Sequence, residues 1–592
     1  MATTWYGNQS SAEGCNFGAL AMLWPLLERM QVAKIINRHL PADPQAEFDH
    51  GRVLSLLIAA RLYSPVALMN VGRWAADSGA DILWDIPVEK LNDDRLGRSV
   101  AAFFRQRHSI LASLALHVSH EFGVPLSEMH YDPTHLVLHG AYEGSEPRGA
   151  LQVGEEVRSD ARLPAAHITQ GRPMADVPQG VQLLHAGLCT VVDEWGPLPI
   201  FGHTVSGNEN GHTAVAEQLA LLRKHLRPPE LTMISDRGTF SVGHFLRLED
   251  HGYHAIAATP WNEFRPLFDQ ERARLKWKRA SYLSIEQQRR RRQGNLPQEH
   301  YDLAVVRHAL TEDKSGRILP CRVIFVFSSA DQKVAAKNRE KSVAKLRTGL
   351  EQIERSVEQG RRNTDPTSIA SRVAKLFGER QAAQYFRYEM LPLSKKEREQ
   401  LPRPGRGARR PEYRFQFTYD AKAAKRDAAY DGYSSMVTTA PREQSADLVF
   451  TKYKQQGYSE LANHEFKTPL AVHPVFLKSP ERVEALVFLM IIALTAYFLL
   501  QRMYRQTVPA DASARERRTT TETLLSAFSR YMLIINHTRL GREVQPTRLS
   551  SRQRDILQRL GFDTPAQVLS RQLPRAPCPP PLQRAAGCGK WA

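Results

Sequence analysis

Three carboxylates stand where an acid is costly unless something compensates it. Asp132 interrupts the strand-like run MHYDPTHLVLHG, and Asp236 closes the short apolar run LTMIS and opens the turn Asp236-Arg237-Gly238. An anion inside or at the end of a buried strand loses its hydration, and a bound cation is the usual compensation. Donors that are all oxygen favour magnesium or manganese. The third acid, Glu460, lies in YKQQGYSELANHEFK, residues 453–467. Read as one helix, this stretch sets Tyr453, Glu460 and Lys467 at successive steps of seven, close to two turns, with Gln456 a turn inside the same stripe. A phenol, a carboxylate and an ammonium on one face suit a metal ion and a phosphodiester better than a hydrophobic core. Each residue also has an ordinary explanation: a turn aspartate for Asp236, bonds to nearby hydroxyls or imidazoles for Asp132, a solvated face for the stripe. Glu465 is the rival third acid.

The elements that must position these residues follow from patterning. Residues 1–125 read as a helical N-terminal domain for DNA binding or assembly, with Asp93 and Asp94 as start signals for its last helix. No helix-turn-helix signature decides its role. Residues 126–264 alternate strand-like runs with helices, a mixed α/β layer. Residues 265–427 are a basic insertion with Trp277 and Tyr282 among its arginines and lysines, further strand-like runs, and a long helix carrying Leu346, Leu350, Ile353 and Val357 on a narrow stripe. Residues 428–505 hold a strand, the Tyr453–Lys467 stretch and the apolar run ALVFLMIIALTAYFLL. That run is shorter than the ~18 residues of a membrane span, so a fully buried helix is expected, started by Ser479-Pro480. Residues 506–592 read as a basic region with one amphipathic helix around LLSAFSRYMLIINH and a disordered, Pro/Arg-rich end.

Composition narrows the partners. Hydrophobic residues at 42% and charged residues at 24% are ordinary globular values, so most of the chain should fold. The formal net charge of +18 points to an anionic partner, most often nucleic acid. Basic runs such as QQRRRRQ would neutralise phosphates and make binding salt-dependent. Five scattered cysteines without a CxxC pair argue for a reducing compartment and against a zinc site. No basic start followed by an apolar run opens the sequence, so no secretory signal and no membrane are expected.

The order Asp132, Asp236, then Tyr453-x2-Gln456-x3-Glu460-x6-Lys467, resembles the DDE transposases of bacterial insertion sequences, in particular the subclass with the Tyr-x2-Arg-x3-Glu-x6-Lys signature. The following KTPLAVHPVFLKSPERVEALVFLMIIALTAYFLLQR is similar too, and the resemblance spans roughly residues 18–505. It implies an RNase H-like catalytic core, with Asp132 on the first strand, Asp236 after the fourth and Glu460 on a late helix, interrupted by a β-containing insertion. The three acids would hold two divalent ions, Mg2+ or Mn2+, while Tyr453, Gln456 and Lys467 contact DNA phosphate. The implied protein is cytoplasmic and bacterial, nucleoid-associated, and dimeric on double-stranded DNA; it binds terminal inverted repeats, cuts there and transfers strands. Gln456 departs from the signature arginine and removes a bidentate guanidinium clamp; neighbouring basic residues such as Lys454 are candidates to replace it. The departure also admits a decayed or repurposed DNA-binding protein, and a nuclease without strand transfer is a further alternative.

Overall fold

The computed structural model describes residues 11–40, 46–148, 163–171, 180–209, 211–294, 299–360, 365–378, 380–401, 410–467, 477–538 and 541–572. The expected C-terminal disorder, most of the polar insertion after residue 143, and residues 468–476 of the run after Lys467 lie outside them. The chain is a mixed α/β protein built on one large sheet.

Ten strands make that sheet: β1 (Glu128–Leu138), β2 (Thr169–Gln170), β3 (Gln182–Asp193), β4 (Gly196–Ser206), β5 (Thr232–Ser235), β6 (His254–Thr259), β7 (Lys278–Arg279), β8 (Tyr301–Thr311), β9 (Ile318–Ser328) and β10 (Tyr433–Thr438). Their spatial order is β2-β3-β1-β5-β6-β10-β9-β8-β7, with β4 also paired to β3. β1, β3 and β4 pair antiparallel, whereas β1, β5 and β6 run parallel. The turn predicted at Trp195-Gly196-Pro197 is the β3–β4 hairpin. Trp195 N donates to Asp193 Oδ1 at 2.9 Å, and Gly196 at φ 121° takes a backbone conformation that side chains disfavour. All four residues of β5 are buried, as suits a parallel strand covered on both faces.

The apolar run is a helix over Pro480–Gln506, buried at every residue from Val483 to Tyr504. Ser479 caps it, accepting from Arg482 N, and proline fills its first position. It is the one helix among the described residues long and apolar enough to cross a membrane, and its apolar stretch is fully buried inside the protein. One side meets β4; another meets the helices His50–Tyr63 and Asp93–Phe104. A helix apolar all round has no solvent face, so it gathers partners on all sides.

The packing crosses the expected boundaries. The apolar residues of the N-terminal helices share one core with the sheet through the buried helix. The C-terminal region folds as far as Gln572, and Ser11–Cys15 pairs with Leu533–Thr538, itself paired with Gly541–Pro546. The helix expected around LLSAFSRYMLIINH ends at Ser526; beyond it Leu533 and Ile535 are buried while Met532 and Ile534 are exposed, a period of two that marks a strand. The expected insertion packs in two places. β8 and β9 extend the main sheet through β10. A smaller module follows, formed by helices Ser329–Glu358 and Pro366–Phe377 with the hairpin Phe386–Pro392/Tyr413–Tyr419; it has its own core, including the predicted stripe Leu346, Leu350, Ile353 and Val357.

Candidate active site

Register brings the first two acids together. Tyr131 of β1 pairs in parallel with Ser235 of β5, so the residues that follow, Asp132 within β1 and Asp236 just past β5, stand side by side on neighbouring chain segments. Neighbouring strands lie ~4.8 Å apart. Asp236 also caps the turn Arg237–Thr239, its Oδ1 accepting from Thr239 N at 3.2 Å. Asp132 is largely buried, and its carboxyl is pushed up to about 6 by burial first, then by the charges of Asp236 and Glu460; the Asn463 hydrogen bond and the Lys467 ammonium oppose the rise. Asp132 therefore senses the other two acids from two neighbouring elements.

The stretch bearing Glu460 is two helices rather than one. Ala446–Lys454 ends in a turn at Gln455, and Gln456–Lys467 follows. Tyr453 thus belongs to the first helix, yet it keeps its place at the site: burial and the charges of Asp236 and Glu460 raise its phenol, with Arg237 opposing. Along the second helix Glu460, Asn463 and Lys467 share a face toward β1. Asn463 Nδ2 donates to Asp132 Oδ2 at 2.8 Å. Burial lowers the Lys467 ammonium, and the Asp132 charge holds it up.

Two residues read toward the phosphate are placed elsewhere by the packing. Gln456 is buried, and its Oε1 meets His130 Nδ1 at 3.1 Å. Its side chain ties the first turn of the second helix to β1 instead of facing solvent. Burial drives the His130 imidazole down to about 4, with the Gln456 bond opposing, so it is neutral at pH 7. Lys454 does not replace the missing arginine: its ammonium stacks 4.8 Å over the Tyr301 ring and 5.5 Å over Phe450, and the acid it senses is Asp331. Glu465, the rival third acid, faces away toward Tyr497, whose hydroxyl bonds it, and lines a cavity of about 510 Å³ with Glu522.

The donor set is hard and all oxygen, which suits Mg2+ or Mn2+. A cation would relieve the repulsion that raises Asp132. Among the described residues, however, no three such side chains converge on a common ligating point; the acids are adjacent without being drawn together. Asn463, absent from the sequence reading, sits three positions after Glu460, and that helical spacing was the signal that could have found it.

Similarity to known proteins falls elsewhere in the chain. Residues 16–116 match a family described as a domain of unknown function, DUF4277. These residues include the helices that pack on the buried Pro480–Gln506 helix, and the match stops before all three acids. No curated protein matches the chain.

Proposed function

We propose that this chain is a DDE-type transposase of a bacterial insertion sequence, with an RNase H-like core that binds terminal inverted repeats, cuts DNA there and joins the ends to a target. The observation that carries this reading is the parallel register that sets Asp132 beside Asp236, with the charge of Glu460 felt by Asp132 from the helix across them. Leaving aside the two-residue β2, Asp132 lies on the first strand of the sheet and Asp236 just past the fourth, where the resemblance expects them. The additional strands between the second and third acids also agree with it.

Asp132, Asp236 and Glu460 would hold the two divalent ions. When bound, such ions activate a water or 3′-hydroxyl and stabilise the leaving oxygen of an in-line displacement at phosphorus. Asn463 holds the Asp132 carboxylate in one orientation. Lys467 supplies a positive charge against the acids and the scissile phosphate. Tyr453, a protonated phenol at pH 7, offers a hydrogen-bond donor at the rim. Gln456 acts from within, through His130.

The test uses the purified chain with a duplex carrying the DNA ends that flank its reading frame, plus magnesium. Nicked and joined products are expected, and Asp236→Asn should reduce both by about three orders of magnitude, since the acids act as a unit. Full activity in that variant would remove the metal assignment. Cleavage without joining would favour a nuclease. A second reading, a DNA-binding protein without catalysis, is motivated by Gln456 at the signature arginine; DNA binding indifferent to divalent metal, with no cleavage, would select it.

A further inference from the structure

The helix Ser329–Glu358 carries a feature that the catalytic reading does not use. Lys333, Lys337, Lys341 and Lys345 recur at every fourth position, and all four are exposed. Steps of four residues climb about 6 Å each and keep successive side chains on a slowly winding stripe, so the four ammonium groups span ~18 Å. Like charges at this spacing repel, and among the described residues none of the four has an ion-pair partner. The neighbouring arginines are already engaged: Arg339 pairs with Asp431, and Arg347 lies 5.3 Å over the Tyr419 ring. Between residues 330 and 345 no side chain of this helix is buried. A bridging helix between sheet and module accounts for the exposure but not for four uncompensated charges in step.

The position of the stripe gives it a direction. β10 runs antiparallel to β6, and β9 antiparallel to β10, so β9 ends at the same edge of the sheet as β1 and β5. That edge carries Asp132 and Asp236. The helix leaves β9 there, capped by Ser328. At its first turn Asp331 is sensed by Lys454, the residue after Tyr453. The lysine stripe therefore starts beside the candidate site and leads away from it.

We propose that this stripe is a docking surface for the phosphate backbone of DNA that extends beyond the active site. A B-form strand presents a phosphate about every 3.4 Å of axis but winds away from a straight stripe, so ~18 Å of helix meets at most about one phosphate for each lysine. The contact reads no bases and fixes the path of the duplex. The inference rests on the reading of this chain as a DNA-acting protein, though not on catalysis.

The experiment measures binding of the full chain to a duplex of arbitrary sequence across a salt series. Substituting all four lysines by glutamine should lower the slope of log affinity against log salt by up to about 3.6, at ~0.9 per phosphate contact. Substituting all four by arginine should preserve the slope. An unchanged slope in a folded glutamine variant overturns the proposal, as does a loss confined to binding of phosphatidylserine vesicles. If the wild-type chain cuts no DNA yet shows the lysine-dependent slope, the surface stands and the catalytic reading falls. If it cuts DNA and the slope ignores the lysines, the surface alone falls.

Discussion

Asp132 is the residue whose chemistry is most constrained by its surroundings. Its carboxyl sits at about 6 instead of 3.8, so as an anion it is disfavoured by about 3 kcal/mol. A carboxyl raised in the folded state binds its proton more tightly there than in the unfolded chain, so stability falls as pH rises from about 4 to about 6. Asp132→Asn should therefore raise the thermal midpoint at pH 7 and lose that advantage near pH 4. Magnesium should stabilise the wild-type chain and have a smaller effect on the variant; thermal unfolding at several pH values, with and without the ion, checks both. Asn463→Ala removes a bond that favours the charged form, so the acid limb of the cleavage profile should move to higher pH. A limb that stays in place would detach Asn463 from Asp132.

At the scale of elements, two joints hold the site. One is the buried pair Arg107–Glu484 at 2.6 Å, with exposures of 0% and 1%, tying the helix Arg107–Phe122 to Pro480–Gln506. Burial alone would raise the Glu484 carboxyl, but Arg107 and Arg148 hold it low. Glu484→Gln leaves a guanidinium buried beside a neutral amide, at a cost of about 3–5 kcal/mol in denaturant unfolding, and replacing both partners by apolar residues should cost less. The other joint is His130–Gln456, which spans from two residues before Asp132 to four before Glu460. Gln456→Ala should cut the rate of DNA cleavage by roughly tenfold, about 1.4 kcal/mol, while DNA affinity stays near wild type. A matching loss of affinity would return Gln456 to the phosphate.

For the whole molecule, the buried helix Pro480–Gln506 joins what the linear order separates. Ser11–Cys15 closes on Leu533–Thr538, so the first described strand shares a sheet with a strand from the C-terminal region. Removal of residues 506–572 would take away Leu524, Phe528 and Ile556, all 2% exposed or less, and with them the cover over Phe17 and the C-terminal half of the buried helix. That truncation should lower the unfolding midpoint of the entire core, not only of its own segment. A midpoint unchanged by calorimetry would make the C-terminal region an independent appendage.

The sequence alone determined what depends on local pattern. Alternation and apolar runs marked the strands around Asp132 and Asp236, the Trp195-Gly196-Pro197 hairpin and the Leu346–Val357 stripe, because period and turn chemistry are carried by neighbouring residues. Ser479-Pro480 likewise announced the start of the buried helix. Tertiary structure decided the rest. Whether Asp132 meets Asp236 depends on a parallel pairing across about a hundred residues, which no local period encodes. Gln456 and Glu460 lie one turn apart on the same helix, yet the packing of its first turn on β1 buries the amide against His130 and leaves the carboxylate exposed. The N-terminal helices looked like a domain because each is amphipathic or apolar by itself. Only the packed chain shows that their apolar faces are satisfied by a helix more than three hundred and fifty residues away.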